Sequence, residues 1–124
     1  MKDLTKAEEE VMQVLWKLQS AFVKEIIAEL PDPKPAYNTV STFVRILQQK
    51  EFVGHTVHGK SHKYHPLISK EEYTKSFMTS MVKNYFGGSF KQMVSFFTND
   101  DNLSIGELEQ LINELKKKES WSII

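Results

Sequence analysis

The sequence predicts a mainly α fold carrying one small β-hairpin, on three observations. Four segments open on the S/T-x-x-E/Q pattern, in which a hydroxyl and a carboxylate or amide cap a first helical turn reciprocally. They are Thr5 with Glu8, Ser69 with Glu72, Ser89 with Gln92 and Ser104 with Glu107. Each opens a run whose apolar residues recur at helical spacing. Between residues 52 and 65 the pattern changes to β-branched and aromatic residues around a glycine, the mark of a hairpin.

The first helix is expected over residues 6–18, with Val11, Met12, Leu15, Trp16 and Leu18 as its apolar side. The second, over 23–30, is stopped by Pro31, Pro33 and Pro35. Each proline lacks an N–H and biases its predecessor away from the helical region. A third helix, over 36–50, gathers Val40, Phe43, Val44 and Leu47 on one face. Asn38, Ser41, Thr42, Arg45, Gln48 and Gln49 occupy the other face, which is polar yet carries one full charge.

Strands over 52–57 and 62–65 flank His58-Gly59-Lys60-Ser61, with glycine in the turn and Pro66 at the end. Helical spacing then returns over 70–85, through Tyr73, Phe77, Met78, Met81, Val82 and Tyr85. Gly87-Gly88 breaks it. Residues 90–98 present Phe90, Met93, Val94, Phe96 and Phe97. Residues 105–118 present Ile105, Leu108, Leu111, Ile112 and Leu115 and end in three lysines, which suit a helix C-terminus. The apolar tail Trp121-Ser122-Ile123-Ile124 fits none of these elements.

Composition bounds the function. A chain of 124 residues has room for one domain or two small ones, and 40% hydrophobic with 26% charged residues excludes wholesale disorder. Cations and anions balance at 16 each, so a uniformly basic coat for nucleic acid or membrane is not expected. The balance is local, however. Residues 34–65 hold Lys34, Arg45, Lys50, Lys60 and Lys63 against Glu51 alone, and all four histidines. Electrostatic function belongs in that window. No cysteine is present, which removes disulfides and thiolate metal sites. The first residues lack the apolar core of a secretory signal, and no run approaches a membrane span. A soluble, cytoplasmic protein without membrane insertion is expected.

Three helices followed by a hairpin is the order of a winged helix-turn-helix, expected here over residues 1–68. In that arrangement the third helix enters the major groove of double-stranded DNA and the hairpin, the wing, lies along the backbone. Asn, Ser and Thr can donate and accept at base edges, and Arg45 can grip a guanine bidentately. A polar helix face is often only a solvated surface. This one lacks the Glu/Lys mixture of such a surface and is followed directly by a basic hairpin. The base-reading set is therefore Asn38, Ser41, Thr42 and Arg45, with Tyr37, Lys60, His62 and Lys63 on the backbone.

His55, His58, His62 and His65 raise a metal hypothesis, but alternate strand residues point to opposite faces and neither carboxylate nor thiolate accompanies them. No metal and no cofactor are expected. Catalysis is not expected either, since there is no G-x-S-x-G, no cysteine nucleophile and no phosphate-binding glycine loop. Asp100-Asp101 reads as loop.

The second half, 69–124, is too small to bury its own large apolar side chains comfortably. It is expected to be a three-helix dimerisation region, with Tyr73, Phe77, Met81, Phe90, Met93, Phe97, Leu108, Leu111 and Leu115 at the interface of a homodimer. Two copies would read an inverted repeat. The alternative that these residues fold onto the first helix as one monomeric core stays open.

Over residues 4–118 the chain resembles the BlaI/MecI family of penicillinase repressors. The resemblance rests on Leu4-Thr5-Lys6-Ala7-Glu8, Val11-Met12, Leu15-Trp16, Glu25-Ile26-Ile27 and Asn38-Thr39-Val40-Ser41-Thr42-Phe43-Val44. Tyr85-Phe86-Gly87-Gly88, Leu103-Ser104 and Glu107-Leu108-Glu109-Gln110-Leu111 continue it. It implies a dimeric repressor on dyad-symmetric operators of resistance genes. It also implies a membrane sensor protease as partner, which triggers repressor cleavage. The family's DNA-contacting helix maps onto 36–50 and adds Thr39 to the base-reading set. Two departures stand out. Members often carry Arg at the position of Ile46, where here Arg45 precedes it, and the family's cleaved Asn-Phe pair falls at Phe96-Phe97. Without cysteine the chain also lacks the metal cluster of the related copper-responsive repressors. Two further readings remain beside the repressor: a winged helix that meets a partner protein instead of DNA, and a small histidine-metal enzyme or sensor.

Overall fold

The computed structural model describes residues 3–98 together with 106, 107 and 110. The chain divides into two compact units, Met1–Ser76 and Phe77–Ile124.

In the first unit, α1 (Lys6–Leu18) starts where the capping box places it. The Glu8 N–H donates to Thr5 Oγ1 at 3.2 Å and the Thr5 N–H to Glu8 Oε1 at 3.1 Å. Its inner face buries Val11, Met12, Val14, Leu15 and Trp16. α2 (Val23–Glu29) ends one residue earlier than its periodicity suggests, because Leu30, preceding Pro31, is extended. α3 (Tyr37–Gln49) buries Val40, Val44 and Leu47. β1 (Val53–His58) and β2 (Ser61–Pro66) pair antiparallel, with Val57 opposite His62 and His55 opposite Tyr64. Gly59, at φ 63°, makes the turn in the left-handed region that glycine enters freely. Ala21 bridges Tyr64 through two backbone hydrogen bonds of 2.8 and 2.9 Å, a one-residue third strand that ties the α1–α2 connection to β2. Three helices capped by this small sheet form a winged helix-turn-helix.

Met12, Leu15, Ile26, Val40, Val44, Leu47 and Val53 are fully buried and make the core. At about 1.5–3 kcal/mol per buried aliphatic side chain, that cluster is what fixes α3 against α1 and α2. The first turns of α4 (Lys70–Tyr85) join the same core. Tyr73 packs on Trp16 and Phe52, with ring centroids 5.6 and 5.8 Å away, and its hydroxyl donates to Glu9 Oε1 at 2.9 Å. Burial and the Glu9 carboxylate push that phenol up to about 12. Trp16 Nε1 donates to the Ile68 carbonyl at 2.9 Å, so the segment leaving the wing is also fastened to α1.

In the second unit, α4 ends at Tyr85 and the chain turns through Gly87 and Gly88, both at positive φ. The Gly88 N–H returns to the Val82 carbonyl at 3.0 Å, a glycine C-cap. α5 (Phe90–Thr98) follows, its first turn capped by Ser89 Oγ, which accepts from the Gln92 N–H at 3.1 Å. Met93 is buried, whereas Phe77, Met78, Tyr85, Phe90, Phe96 and Phe97 are exposed. Of the expected helix over 105–118, residues 106, 107 and 110 are helical. Leu108, Leu111, Leu115, Asp100-Asp101 and the Trp121-Ser122-Ile123-Ile124 tail lie outside the described residues.

Candidate nucleic-acid interface

The outer face of α3 carries the polar residues that its periodicity places there. Asn38, Thr39, Thr42 and Arg45 are exposed and Ser41 is half-buried. Two local bonds order them: Thr42 Oγ1 donates to the Asn38 carbonyl at 2.9 Å, and Arg45 Nη2 reaches Thr42 Oγ1 at 3.5 Å. No acidic residue stands in the first turn and no side chain caps the N-terminus. The positive end of the helix is therefore open towards an anion. Arg45 and Tyr37 also lie close enough to Tyr64 to act on its phenol, whose pKa is raised chiefly by burial.

The wing meets α3 at one end of this face. Tyr37 and Ser41 of α3 line an open groove of about 560 Å³ together with Lys60 and His62 of the wing. Lys24 and Glu25 of α2 line it too, and Lys24 is a cation that lies outside the basic window of the sequence. Lys63 is placed differently. Strand alternation turns it to the other face of the hairpin, where its Nζ sits 5.4 Å over the Phe22 ring. Lys34 is engaged as well, donating to the Ala28 and Leu30 carbonyls at the end of α2.

The histidines do not converge. His55 stacks on His62, with centroids 4.3 Å apart and planes 10° apart, and its Nδ1 is 2.6 Å from Gln48 Nε2. His58 lies edge-on to Phe22 on the opposite face. Among the described residues, no three His, Cys, Asp or Glu side chains gather as a metal site. The Gln48–His55–His62 chain is invisible to local pattern, since it needs the wing to fold back on α3.

Of the residues expected at a dimer interface, Phe77, Phe90 and Phe97 are about half-exposed, at 50%, 46% and 45%. Met81 is half-buried and Met93 buried in the second unit, while Tyr73 is packed in the first. Among the described residues, no helix is long and apolar enough to cross a membrane.

The penicillinase repressor family model matches residues 4–117. The chain is 31% identical over 119 residues to the penicillinase repressor of Bacillus licheniformis, covering 93% of each. It is 27% identical over 117 residues to the methicillin resistance regulatory protein MecI of Staphylococcus aureus strain N315, covering 94% of this chain and 95% of that one. A solved structure of monomeric Bacillus licheniformis BlaI in complex with the blaP half-operator is 31% identical, with a TM-score of 0.48, covering 56% of this chain and 87% of that chain. With the family's motifs running from Thr5 at the head of α1 through the outer face of α3 and on to Gly88, the chain belongs to the penicillinase repressor family, which comprises DNA-binding transcriptional repressors and not enzymes.

Proposed function

We propose that two copies of this chain bind a dyad-symmetric operator and silence resistance-type genes, each placing α3 in the major groove of one half-site. The observation that carries the reading is the exposed face of α3. It is lined by hydroxyls, an amide and one guanidinium, bears no acid in its first turn, and adjoins cations of the wing and α2. Asn38, Thr39, Ser41, Thr42 and Arg45 read base edges in this arrangement. Tyr37, Lys60 and His62, joined by Lys24, meet the backbone, whereas Lys63, expected there too, stands on the other face of the hairpin over Phe22. The boundary expected at 68/69 falls inside the first compact unit, which keeps the first turns of α4 up to Ser76, so the dimerising part is proposed to begin at Phe77. A DNA partner places the protein in the cytoplasm. The sensor protease implied by the family would have to accept the Phe96-Phe97 pair, which α5 exposes.

Salt titration of operator binding tests this. Log K falls with log[salt] by about 0.9 per phosphate neutralised, so Lys24 and Lys60 of two protomers give a slope near −4. A flat dependence, or no duplex bound, would favour a protein partner for α3. Arg45→Ala is expected to cost about 1–3 kcal/mol and to relax preference at one base pair per half-site. An equal loss on every sequence would make Arg45 a phosphate contact.

A further inference from the structure

We infer that His55 is a positioning residue that ties the wing to the recognition helix, and so sets where Lys60 and His62 meet the duplex. The inference rests on the operator-binding reading above. Beyond Tyr64 the hairpin buries nothing: residues 55–62 are all exposed, and Val57, the partner of His62 across the strands, is 65% exposed. A two-stranded ribbon without a buried face has no packing of its own to fix its angle. The Ala21–Tyr64 bridge fixes the base of the hairpin, and side-chain ties on its two faces fix the wing beyond it. On one face Phe22 is clamped by Lys63 and His58, which relates the wing to the start of α2. On the other, His55 is the middle of a continuous chain that begins on α3.

The geometry of that chain is specific. The Gln48 amide and His55 Nδ1 are 2.6 Å apart, and the two imidazoles are nearly parallel at 4.3 Å. An Nδ1 that accepts from the amide leaves the proton on Nε2, so the bond selects one tautomer and one ring orientation. The ring so held presents its face to His62, two residues along the partner strand from Tyr64. His62 in turn lines the groove with Tyr37 and Ser41. Gln48 thus fixes His55, His55 fixes His62, and the wing tip with Lys60 is registered against the helix that enters the major groove. His55 itself contacts no base in this arrangement.

The test uses the full chain and its operator duplex, read as affinity against salt. His55→Ala is expected to weaken binding about 5–10-fold, the value of one net hydrogen bond. It should also lower the salt slope by about 2, because Lys60 of each protomer then misses its phosphate, although His55 is neither a cation nor a phosphate ligand. Helicity stays unchanged, and the thermal midpoint falls by no more than the loss of one exposed hydrogen bond allows. Gln48→Ala added to His55→Ala should change affinity by less than about twofold, because the chain is already broken. Losses that add would overturn the tie, as would an unchanged slope in His55→Ala. Wild type with no salt-sensitive binding would overturn the repressor reading and the tie together; wild type that binds, matched by His55→Ala in affinity and slope, would overturn the tie alone.

Discussion

Replacing Phe97 by Asp is expected to leave the protein monomeric at micromolar concentration and to weaken operator binding about 100-fold or more. Phe97 lies on α5 with 45% of its surface exposed, in a unit that also exposes Phe77, Met78, Tyr85, Phe90 and Phe96. So many exposed large apolar side chains in one small unit call for a partner surface, and covering one phenyl ring contributes about 1.5–3 kcal/mol. In a two-fold interface every substitution acts twice. An Asp at this position therefore removes two rings and brings two carboxylates into an apolar contact, at several kcal/mol in all. Operator affinity follows because a dimer binds its second half-site as an intramolecular event, worth about 10²–10⁴ in affinity. Light scattering gives the mass and duplex titration the affinity, with circular dichroism confirming the helices. A Phe97→Asp protein that remains a dimer would place Phe97 outside the interface. A monomer with undiminished operator affinity would show that pairing does not serve binding.

What local pattern could disclose in this chain was where elements begin and which side of each is covered. Thr5 with Glu8 and Ser69 with Glu72 form the reciprocal caps that their spacing implies, Pro31 ends α2, and Gly59 makes the turn. The identity of the covering partner was not legible. An apolar stripe containing Tyr73 says that this ring is covered, and the fold covers it with Trp16 and Phe52 from 57 and 21 residues away in sequence. Likewise, period-2 alternation puts His62 and Lys63 on opposite faces, but which of them joins the groove beside α3 emerges only when the hairpin docks. Gln48 read as one more polar residue of α3 until the wing brought His55 to it. The capping role of Glu8 was plain, whereas its second contact, 42 residues away, leaves no trace in local spacing.

That second contact makes a distinct expectation: Lys50→Met should lower stability by about 1–3 kcal/mol at pH 7, and by much less near pH 3. Lys50 caps the C-terminus of α3, and its Nζ donates to Glu8 Oε1 at 2.7 Å and to the Asp3 carbonyl at 3.0 Å. The Glu8 side chain is 5% exposed and that of Lys50 22%, so the pair is shielded from water. Burial by itself would raise the Glu8 pKa. The hydrogen bond from Lys50, the Thr5 N–H and the ammonium charge outweigh it, and the carboxyl is held below its ordinary value of 4.5. The folded state therefore binds that proton less readily than the unfolded chain does. Its contribution is fully present above pH 4.5 and disappears as pH falls through the depressed folded value. Without Lys50, Glu8 keeps the cost of burial and loses the cation, so the variant suffers most where the carboxylate is ionised. Urea midpoints of both proteins at pH 7 and pH 3 measure this. An equal deficit at the two values would trace the loss to packing of the Lys50 stem and its bond to Asp3. A deficit that closes with acid would show that a buried charge pair pins the end of α3 to the start of α1.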